Sequence, residues 1–491
     1  MVARRLVPTI VVSTLLAAGV GGVGSATGSQ AAATGDWRVV APASAAAIEG
    51  YTSEVSVAPG DTLRFHVSTR PAAGYRLEVY RIGWYDGAGA ALVGCVPVGC
   101  TGARDGLPQD TPRPRDDTGE LRAGWRVTDE LVVPEDWRSG EYLAKLVLAT
   151  GPDAGRSAGI PFVVRAPAGD AADVLVISPV NTWQAYNDWG GLSAYSDPRA
   201  AVKVSFDRPY AATLRKPYLG YPVVRFLDRF GWDVAFTTDV DVDRDRGQLA
   251  RHRLVVVPGH SEYWSKELRD GLEAARGLGV SLAFLGGNTG YWQVRYADAD
   301  RRVIELYRSA SADPSPNPRQ KTVRWRDAPL DRPECALLGN QWQGGDESSD
   351  PGPHPYVVTR AGARHPWLAG TGLRAGDAIA GAVGYEWDAV APECGTLNAR
   401  VTTLFHHEGI TTPQRPGYYK STFHSTDADA VTYTAPSGAV IFSAGSIDFG
   451  WTLAPVPASG DPAAGTTDPE TPPDARMQRF ARNLVDDLSS R

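Results

Sequence analysis

A run of apolar residues that stops at a histidine and a carboxylate constrains this chain most. Leu254-Val-Val-Val-Pro-Gly-His260-Ser-Glu262-Tyr263-Trp264 reads as a strand buried on both faces. It breaks at Pro-Gly and then presents polar and aromatic groups. A second apolar run, 173–178, ends at Asn181-Thr-Trp183-Gln-Ala-Tyr186-Asn187-Asp188-Trp189-Gly-Gly. Open α/β sheets place their sites beyond the carboxyl ends of strands. Two polar-aromatic loops at such ends predict one site, of a metal-dependent hydrolytic kind.

At 491 residues the chain is too long for one core and predicts two or three domains. A formal net charge of -7 leaves no basic field for nucleic acid or an anionic membrane. Arg4 and Arg5 precede an apolar run over 6–20 and small residues over 21–33. This pattern predicts a signal peptide over 1–33 and a secreted, extracellular protein. The run is too short, and too diluted by Thr9, Ser13 and Thr14, for a membrane anchor. No later segment predicts a membrane span. Four cysteines follow: Cys95, Cys100, Cys335 and Cys394. An even count in an exported chain predicts disulfides, and three pairings are open. The preferred one joins Cys95 to Cys100 in a tight loop and Cys335 to Cys394 across a long insertion. Their spacing fits no common zinc motif.

Residues 36–167 read as all-β. Alternating segments at 51–57, 62–67, 76–81 and 141–147 are set off by turns such as Ala58-Pro-Gly-Asp61 and predict a sandwich. The stretch 101–117 is too rich in Pro, Gly, Arg and Asp to pack and predicts a surface loop. After Arg165-Ala-Pro-Ala-Gly-Asp170, strands at 173–178, 233–238, 254–257 and 281–285 alternate with helical patterns at 223–230 and 265–276. This rhythm predicts a largely parallel sheet with helices on both faces. Beyond 305 it breaks, and residues 310–352 predict an insertion or cap. Strand-like segments return at 431–434 and 438–443. A polar loop over 456–473 precedes a last helix at 475–488, carrying Met477, Phe480, Leu484 and Leu488.

His260 and Glu262 are two apart, so in extended chain they leave the same side. Together they can bind a metal, or act as a general base with its orienting partner. The plain alternative is a capping histidine and a carboxylate paired with an arginine. Tyr186 sits among amides and aromatics that suit a pocket mouth, or a plug packing one domain on another. Gly286-Gly287-Asn288 follows a strand where hydrolase-like and amidotransferase-like folds seat a nucleophile, yet no Ser or Cys is present. Asn288 and nearby amides could instead hold an oxyanion. Asp239, Asp241 and Asp243 alternate as calcium ligands can, but lack the rest of an EF-hand loop, and read as a loop at the site rim. Tyr385-Glu386-Trp387-Asp388, His406-His407-Glu408 and His424 are further cleft or structural candidates.

The runs 179–191, Gly259-His260-Ser-Glu262-Tyr263-Trp264 and 284–295 resemble the N,N-dimethylformamidase large-subunit family. So do Tyr80-Arg81-Ile-Gly-Trp84-Tyr85 and Gly384-Tyr385-Glu386-Trp387-Asp388. With the patterns above, the expected fold is an amidotransferase-like α/β parallel-sheet domain over 170–491, carrying an insertion around 305–400. An immunoglobulin-like all-β sandwich precedes it over 36–167. The resemblance implies a mononuclear ferric iron held by two tyrosines and a glutamate. It maps these onto Tyr142, Tyr186 and Glu262, with His260 as the neighbouring histidine. The implied reaction is hydrolysis of a linear C–N amide bond to a carboxylate and an amine, with His260, Glu262 and Asn288 as catalytic groups. The family's named enzyme works with a small subunit, and nothing in this chain shows one; a homo-oligomer is open. Export and the insertion point away from dimethylformamide itself, towards a small or larger extracellular amide. Two other readings compete. One is a non-catalytic carbohydrate- or surface-binding protein using its Trp and Tyr side chains. The other is a glycan hydrolase pairing Glu262 with an aspartate such as Asp188.

Overall fold

Alternating apolar positions separated by turn residues fold the first part of the chain into strands. They are β1 (Glu49–Thr52), β2 (Ser56–Val57), β3 (Thr62–Ser68), β4 (Gly74–Ile82), β5 (Ala90–Val96), β6 (Arg104–Asp105), β7 (Asp129–Val132), β8 (Gly140–Leu148) and β9 (Ser157–Val164). One sheet has the order β1-β3-β7. The other runs β2-β9-β8-β4-β5, with β6 added to β4. Leu63, Phe65, Val79, Ala144, Leu146 and Phe162 form the core they share. Two sheets around one core are thus established, and an immunoglobulin-like domain as such is not. The computed structural model describes residues 36–454 and 473–491, apart from 168, 213, 215, 346–353, 385, 393, 396–399 and 410–426. All of these lie in one compact unit, Ala33–Arg491. The expected signal peptide, Tyr385, His424 and nearly all of the 456–473 loop lie outside the described residues.

After residue 170 strands and helices alternate. The strands are β10 (Val174–Ser178), β11 (Lys203–Ser205), β12 (Val234–Thr238), β13 (Leu254–Gly259), β14 (Tyr263–Ser265), β15 (Ser281–Gly286), β16 (Trp292–Tyr296), β17 (Val303–Glu305), β18 (Gln341–Gly345), β19 (His354–Val358), β20 (Ala378–Val383), β21 (Glu386–Ala389), β22 (Thr402–His407), β23 (Ala428–Thr434) and β24 (Val440–Ser443). The helices are α1 (Val180–Tyr186), α2 (Tyr221–Phe230), α3 (Asp239–Arg244), α4 (Lys266–Gly277), α5 (Cys335–Leu338) and α6 (Ala475–Ser489). Among the described residues the central sheet has the order β12-β10-β13-β15-β24-β23-β22-β19-β20. The first five strands run parallel and the rest antiparallel.

Local chemistry sets the helix ends. The Ser265 hydroxyl accepts from the Leu268 N–H and starts α4. Pro222 sits in the first turn of α2, and Gly231, at φ 75°, follows its last residue. On α6, Met477, Phe480, Leu484 and Leu488 fall on one buried stripe, each worth about 2 kcal/mol of burial.

Three expectations change. Residues 181–186 are helical rather than loop, because the turn after β10 coils into α1 and buries Trp183 at 2% exposure. Residues 239–244 are likewise a short helix, started by the Thr238 hydroxyl accepting from the Asp241 N–H. The sheet is parallel in only half its width. The stretch read as an insertion supplies β19 and β20 to its edge. Antiparallel neighbours need no crossover helix, so this half leaves no βα rhythm in the sequence.

The disulfides are Cys95–Cys100 and Cys335–Cys394, the preferred pairing. The second ties α5 to the chain just after β21. Among the described residues no helix is long and apolar enough to cross a membrane.

Side chains of β8 alternate between two environments. Tyr142 and Ala144 enter the core between the first two sheets. Glu141 points the other way and accepts from the Ser178 hydroxyl at 2.7 Å. Burial pushes the Glu141 carboxyl up to about 7, only partly offset by that hydrogen bond. An acid raised in the folded state keeps its proton there after the unfolded chain has lost it. Stability therefore falls as pH rises from the ordinary carboxylate range through about 7. At about 1.4 kcal/mol per pH unit the full loss is roughly 3 kcal/mol. Glu141→Gln is expected to melt higher than the parent at about pH 8 and near it at about pH 5. Thermal unfolding at both pH values checks this, and an equal difference at both would refute it.

Candidate active site

The site lies where β10, β13 and β15 end. Gly259 closes β13 at φ 63°, and a Cβ there would stand 2.7 Å from the Leu219 carbonyl carbon. A Cβ on Gly286 would meet the Gly259 carbonyl oxygen at 1.6 Å. Glycine at both positions lets the two strand ends converge. The chain then presents His260 and Glu262, whose side chains are 0% and 3% exposed.

Both oxygens of Glu262 accept from phenols. Tyr186, the last residue of α1, donates to Oε2 at 2.7 Å, and Tyr195 donates to Oε1 at 2.8 Å. The two phenol rings stack with centroids 4.2 Å apart. The Tyr263 hydroxyl donates to that of Tyr195 at 2.5 Å. The Thr182 hydroxyl fixes the backbone by accepting from the Glu262 N–H at 3.0 Å. His260 Nδ1 faces the Gly287 carbonyl at 3.3 Å. A carbonyl only accepts, so Nδ1 carries the proton. Nε2 then faces Glu262 Oε2 at 3.2 Å, Tyr186 Oη at 3.4 Å and Glu386 Oε2 at 3.7 Å.

Glu386 starts β21, and Asn288 Nδ2 donates to its Oε2 at 2.7 Å. The Asn288 N–H donates to Asp388 Oδ1 at 2.9 Å. The two glutamates titrate in opposite directions. Burial alone would raise Glu262, but hydrogen bonds from His260, Tyr186 and Tyr195 outweigh it and hold its carboxyl below the ordinary value. Burial raises Glu386 above its ordinary value, and the charges of His260 and Lys216 only partly oppose this. Burial also pushes Asp388 up to about 8. A carboxyl held below its ordinary value and one pushed above it thus flank the same imidazole nitrogen, an asymmetry that acid–base catalysis uses.

The structure brings together Tyr186, His260, Glu262 and Asn288. It does not bring Tyr142 to them. Tyr142 donates to the Arg138 carbonyl at 2.6 Å and stacks on Trp137, because alternation along β8 turns it into the first core. Tyr195 stands against Glu262 in its place. The signal for it is a second tyrosine nine residues after Tyr186, beyond the Gly190-Gly191 pair, whose positive φ angles fold the segment back. Asn288 also meets two acids: one N–H of its side-chain amide donates to Glu386 and its backbone N–H donates to Asp388.

Of the other candidates, Asp188 is exposed while Glu262 is buried, and the second acid at His260 Nε2 is Glu386. Asp239 accepts from the Asn181 N–H, Asp241 from the Ser56 and Thr238 hydroxyls, and Asp243 pairs with Arg301. His406 meets Asp429, and His407 meets the Pro355 carbonyl. Trp189 packs edge-on against Trp125 and donates to Glu49, the plug alternative for that residue.

Among the described residues no group of three His, Cys, Asp or Glu side chains could hold a metal. The oxygens that converge here come from two phenols and one carboxylate, and hard anionic oxygens are the donors ferric iron prefers. The site residues therefore fit such an ion.

Fold and site define a mixed α/β protein with a buried carboxylate–imidazole pair, contacted by two half-buried phenols, at the strand ends. The family model described as N,N-dimethylformamidase beta subunit-like, C-terminal, matches residues 76–464, and the chain belongs to that family. No curated protein matches the chain at a significant level.

Proposed function

We propose that this chain is an exported, iron-dependent amidohydrolase. It cleaves a linear C–N amide bond to give a carboxylate and an amine. The observation that carries this is the Glu262 carboxylate bracketed by Tyr186 and Tyr195, with His260 against it. Family membership supports the hydrolase class. Tyr186, Tyr195 and Glu262 would hold the ion, which supplies charge to polarise the amide carbonyl. His260, with Nδ1 on the Gly287 carbonyl and Nε2 on the Glu262 carboxylate, gives its Nε2 proton to the leaving nitrogen as the C–N bond breaks and takes back in its place the proton that the attacking water loses. Glu386 is the proton reservoir beside it, and Asn288 fixes its carboxyl. Burial of His260, Glu262, Asn288 and Glu386 keeps bulk water from them and strengthens their mutual electrostatics.

Export rests on the pattern over 1–33 and agrees with two disulfides. We further read the first two sheets as an immunoglobulin-like sandwich. The support is the parallel β2–β9 pair and the Tyr142 hydroxyl bonded back to Arg138, in the manner of a tyrosine corner. Sugar binding is not favoured, since Trp183 and Trp189 are 2% and 6% exposed and offer no open ring face.

The test is metal analysis, a visible spectrum and product analysis on the purified mature protein with a panel of N-alkyl amides. About one iron per chain is expected, with a tyrosinate-to-iron absorption band and release of amine and carboxylate in equal amounts. Protein purified without chelator that carries no metal near equal stoichiometry and turns over no amide would overturn the reading.

A further inference from the structure

Tyr51 on β1 and His66 on β3 are cross-strand partners. Their rings stack with centroids 4.4 Å apart and planes 2° from parallel, which fixes the imidazole. The chain runs on past β1 to Ser53, whose N–H still donates to the Arg64 carbonyl of β3. That ladder bond keeps the Ser53 hydroxyl 2.8 Å from His66 Nε2. Across the ring, Nδ1 meets the Trp125 carbonyl at 2.6 Å. A carbonyl only accepts, so Nδ1 carries the proton and Nε2 accepts from the Ser53 hydroxyl. Burial disfavours the charged ring and holds His66 below its ordinary value, which keeps Nε2 able to accept.

Ser53 is half-buried and lines a cavity of about 470 Å³ between the first sheets and the α/β part. Arg64, Arg165, Arg244, Arg301 and Arg302 line it too, against three acids, so guanidinium donors dominate its wall. Arg64 pairs with Glu54 at 2.9 Å and Arg165 with Asp61 at 3.1 Å, both acids of the same wall. Asp241, Asp243 and Asp207, behind the wall, hold the other three in place. Arg165 keeps a buried Nε with no hydrogen-bond partner among the described residues. Arg302 Nη2 donates to the Thr52 carbonyl at 3.0 Å, which sets a fixed cation beside the next residue, Ser53.

We infer that Ser53 and His66 form a second hydrolytic site, with Ser53 as nucleophile towards a small ester that carries negative charge. A nucleophile, a base and a group that orients the base are what such a site needs. Here the Trp125 carbonyl and the Tyr51 ring do the orienting that a carboxylate does in Ser-His-Asp sites. Ser53 Oγ attacks the ester carbonyl carbon as its proton passes to His66 Nε2. The bond to the alcohol oxygen breaks, and that oxygen takes the proton from Nε2. Water then attacks the acyl-serine and gives a proton to Nε2, and Ser53 Oγ leaves and regains it. The sum is ester and water to acid and alcohol. Arg302 supplies positive charge beside the carbonyl oxygen as its charge develops. A serine–histidine bond that only braced β1 on β3 would need no cavity at the hydroxyl.

The test treats chelator-washed mature protein with a fluorophosphonate and maps the adduct by peptide mass spectrometry. The adduct is expected on Ser53, and to form about a hundredfold more slowly in His66→Gln. Para-nitrophenyl acetate and the mono-para-nitrophenyl ester of glutaric acid then compare a neutral ester with an anionic one. The anionic ester is expected to show a kcat/KM about tenfold higher, and Arg165→Gln to narrow that gap. Ser53→Ala is expected to abolish turnover of both. Melting curves establish that each variant folds, and the adduct map of the parent needs no variant. Absence of an adduct on Ser53 overturns the inference. So does an adduct that forms as fast in His66→Gln as in the parent. Equal kcat/KM for the two esters overturns the anionic substrate class. Neither iron nor amide enters these measurements, so failure of every amide to turn over would sink the amidohydrolase reading and leave the Ser53 result standing.

Discussion

Glu262→Gln is expected to lower amide turnover about a thousandfold while leaving the fold intact. The exchange keeps the side chain's size, so the buried space around it stays filled. It removes the negative charge that faces His260 Nε2 at 3.2 Å and replaces one accepting oxygen with an amide that donates. One of the two phenols, Tyr186 or Tyr195, then loses its acceptor. Iron content is expected to fall with activity, because the carboxylate is one of three oxygen donors. Metal analysis, amine release and thermal melting on the same preparation check the three parts together. Retained iron and near-parental turnover would remove Glu262 from the chemistry. A lost fold would point instead to a structural carboxylate.

The parent's pH profile belongs to the same prediction. Glu262 is held below the ordinary carboxylate range, so the stability its contacts contribute is present at neutral pH and lost as pH falls through its depressed titration. Glu386 is raised, so its proton is lost on the alkaline side of the ordinary range. Turnover is expected to rise as Glu262 ionises and to decline as Glu386 gives up its proton. Because the two acids share one imidazole, the limbs report the group and not single residues. The Gln variant is expected to lose the acid limb in its residual rate.

What could be read from sequence followed from local pattern. The strand ending at Gly259 is an unbroken apolar run, and whatever follows such a strand in an α/β sheet lies at the functional edge. His260 and Glu262 were therefore placed by neighbours a few residues away. Asn288 is placed the same way, after β15, but its acid partners are not, because Glu386 and Asp388 arrive about a hundred residues later in the chain. That meeting depends on β21 pairing with β18 and packing its backbone against Gly287, which no period in the sequence records. The edge strands β19 and β20 were hidden for a related reason. Their connections are rich in Pro, Gly and Arg, and antiparallel pairing leaves no helix between strands to mark them. Tyr142 was misplaced because a motif match carries no information on which face of β8 a side chain takes. Counting from Glu141, which meets Ser178, places Tyr142 on the opposite face.

The two tyrosines therefore give the sharpest contrast available. Tyr195→Phe removes one hydroxyl from the Glu262 clamp and keeps the ring, which stays stacked on Tyr186. Iron binding is expected to weaken and turnover to fall, each about a hundredfold. The tyrosinate-to-iron band should be lost or strongly shifted, with little change in melting temperature. Tyr142→Phe also removes one hydroxyl, but this one donates only to the Arg138 carbonyl inside the first core. It is expected to cost about 1 kcal/mol of stability and to leave iron, spectrum and turnover at parental values. The pair separates two assignments that sequence similarity alone cannot, since both residues are tyrosines in family-like surroundings. If Tyr142→Phe loses the iron band while Tyr195→Phe keeps it, the phenol facing Glu262 Oε1 is not a ligand, and the binding state must draw β8 towards the strand ends. If both keep it, the convergence of two phenols on one carboxylate is a hydrogen-bonding network and no cation site.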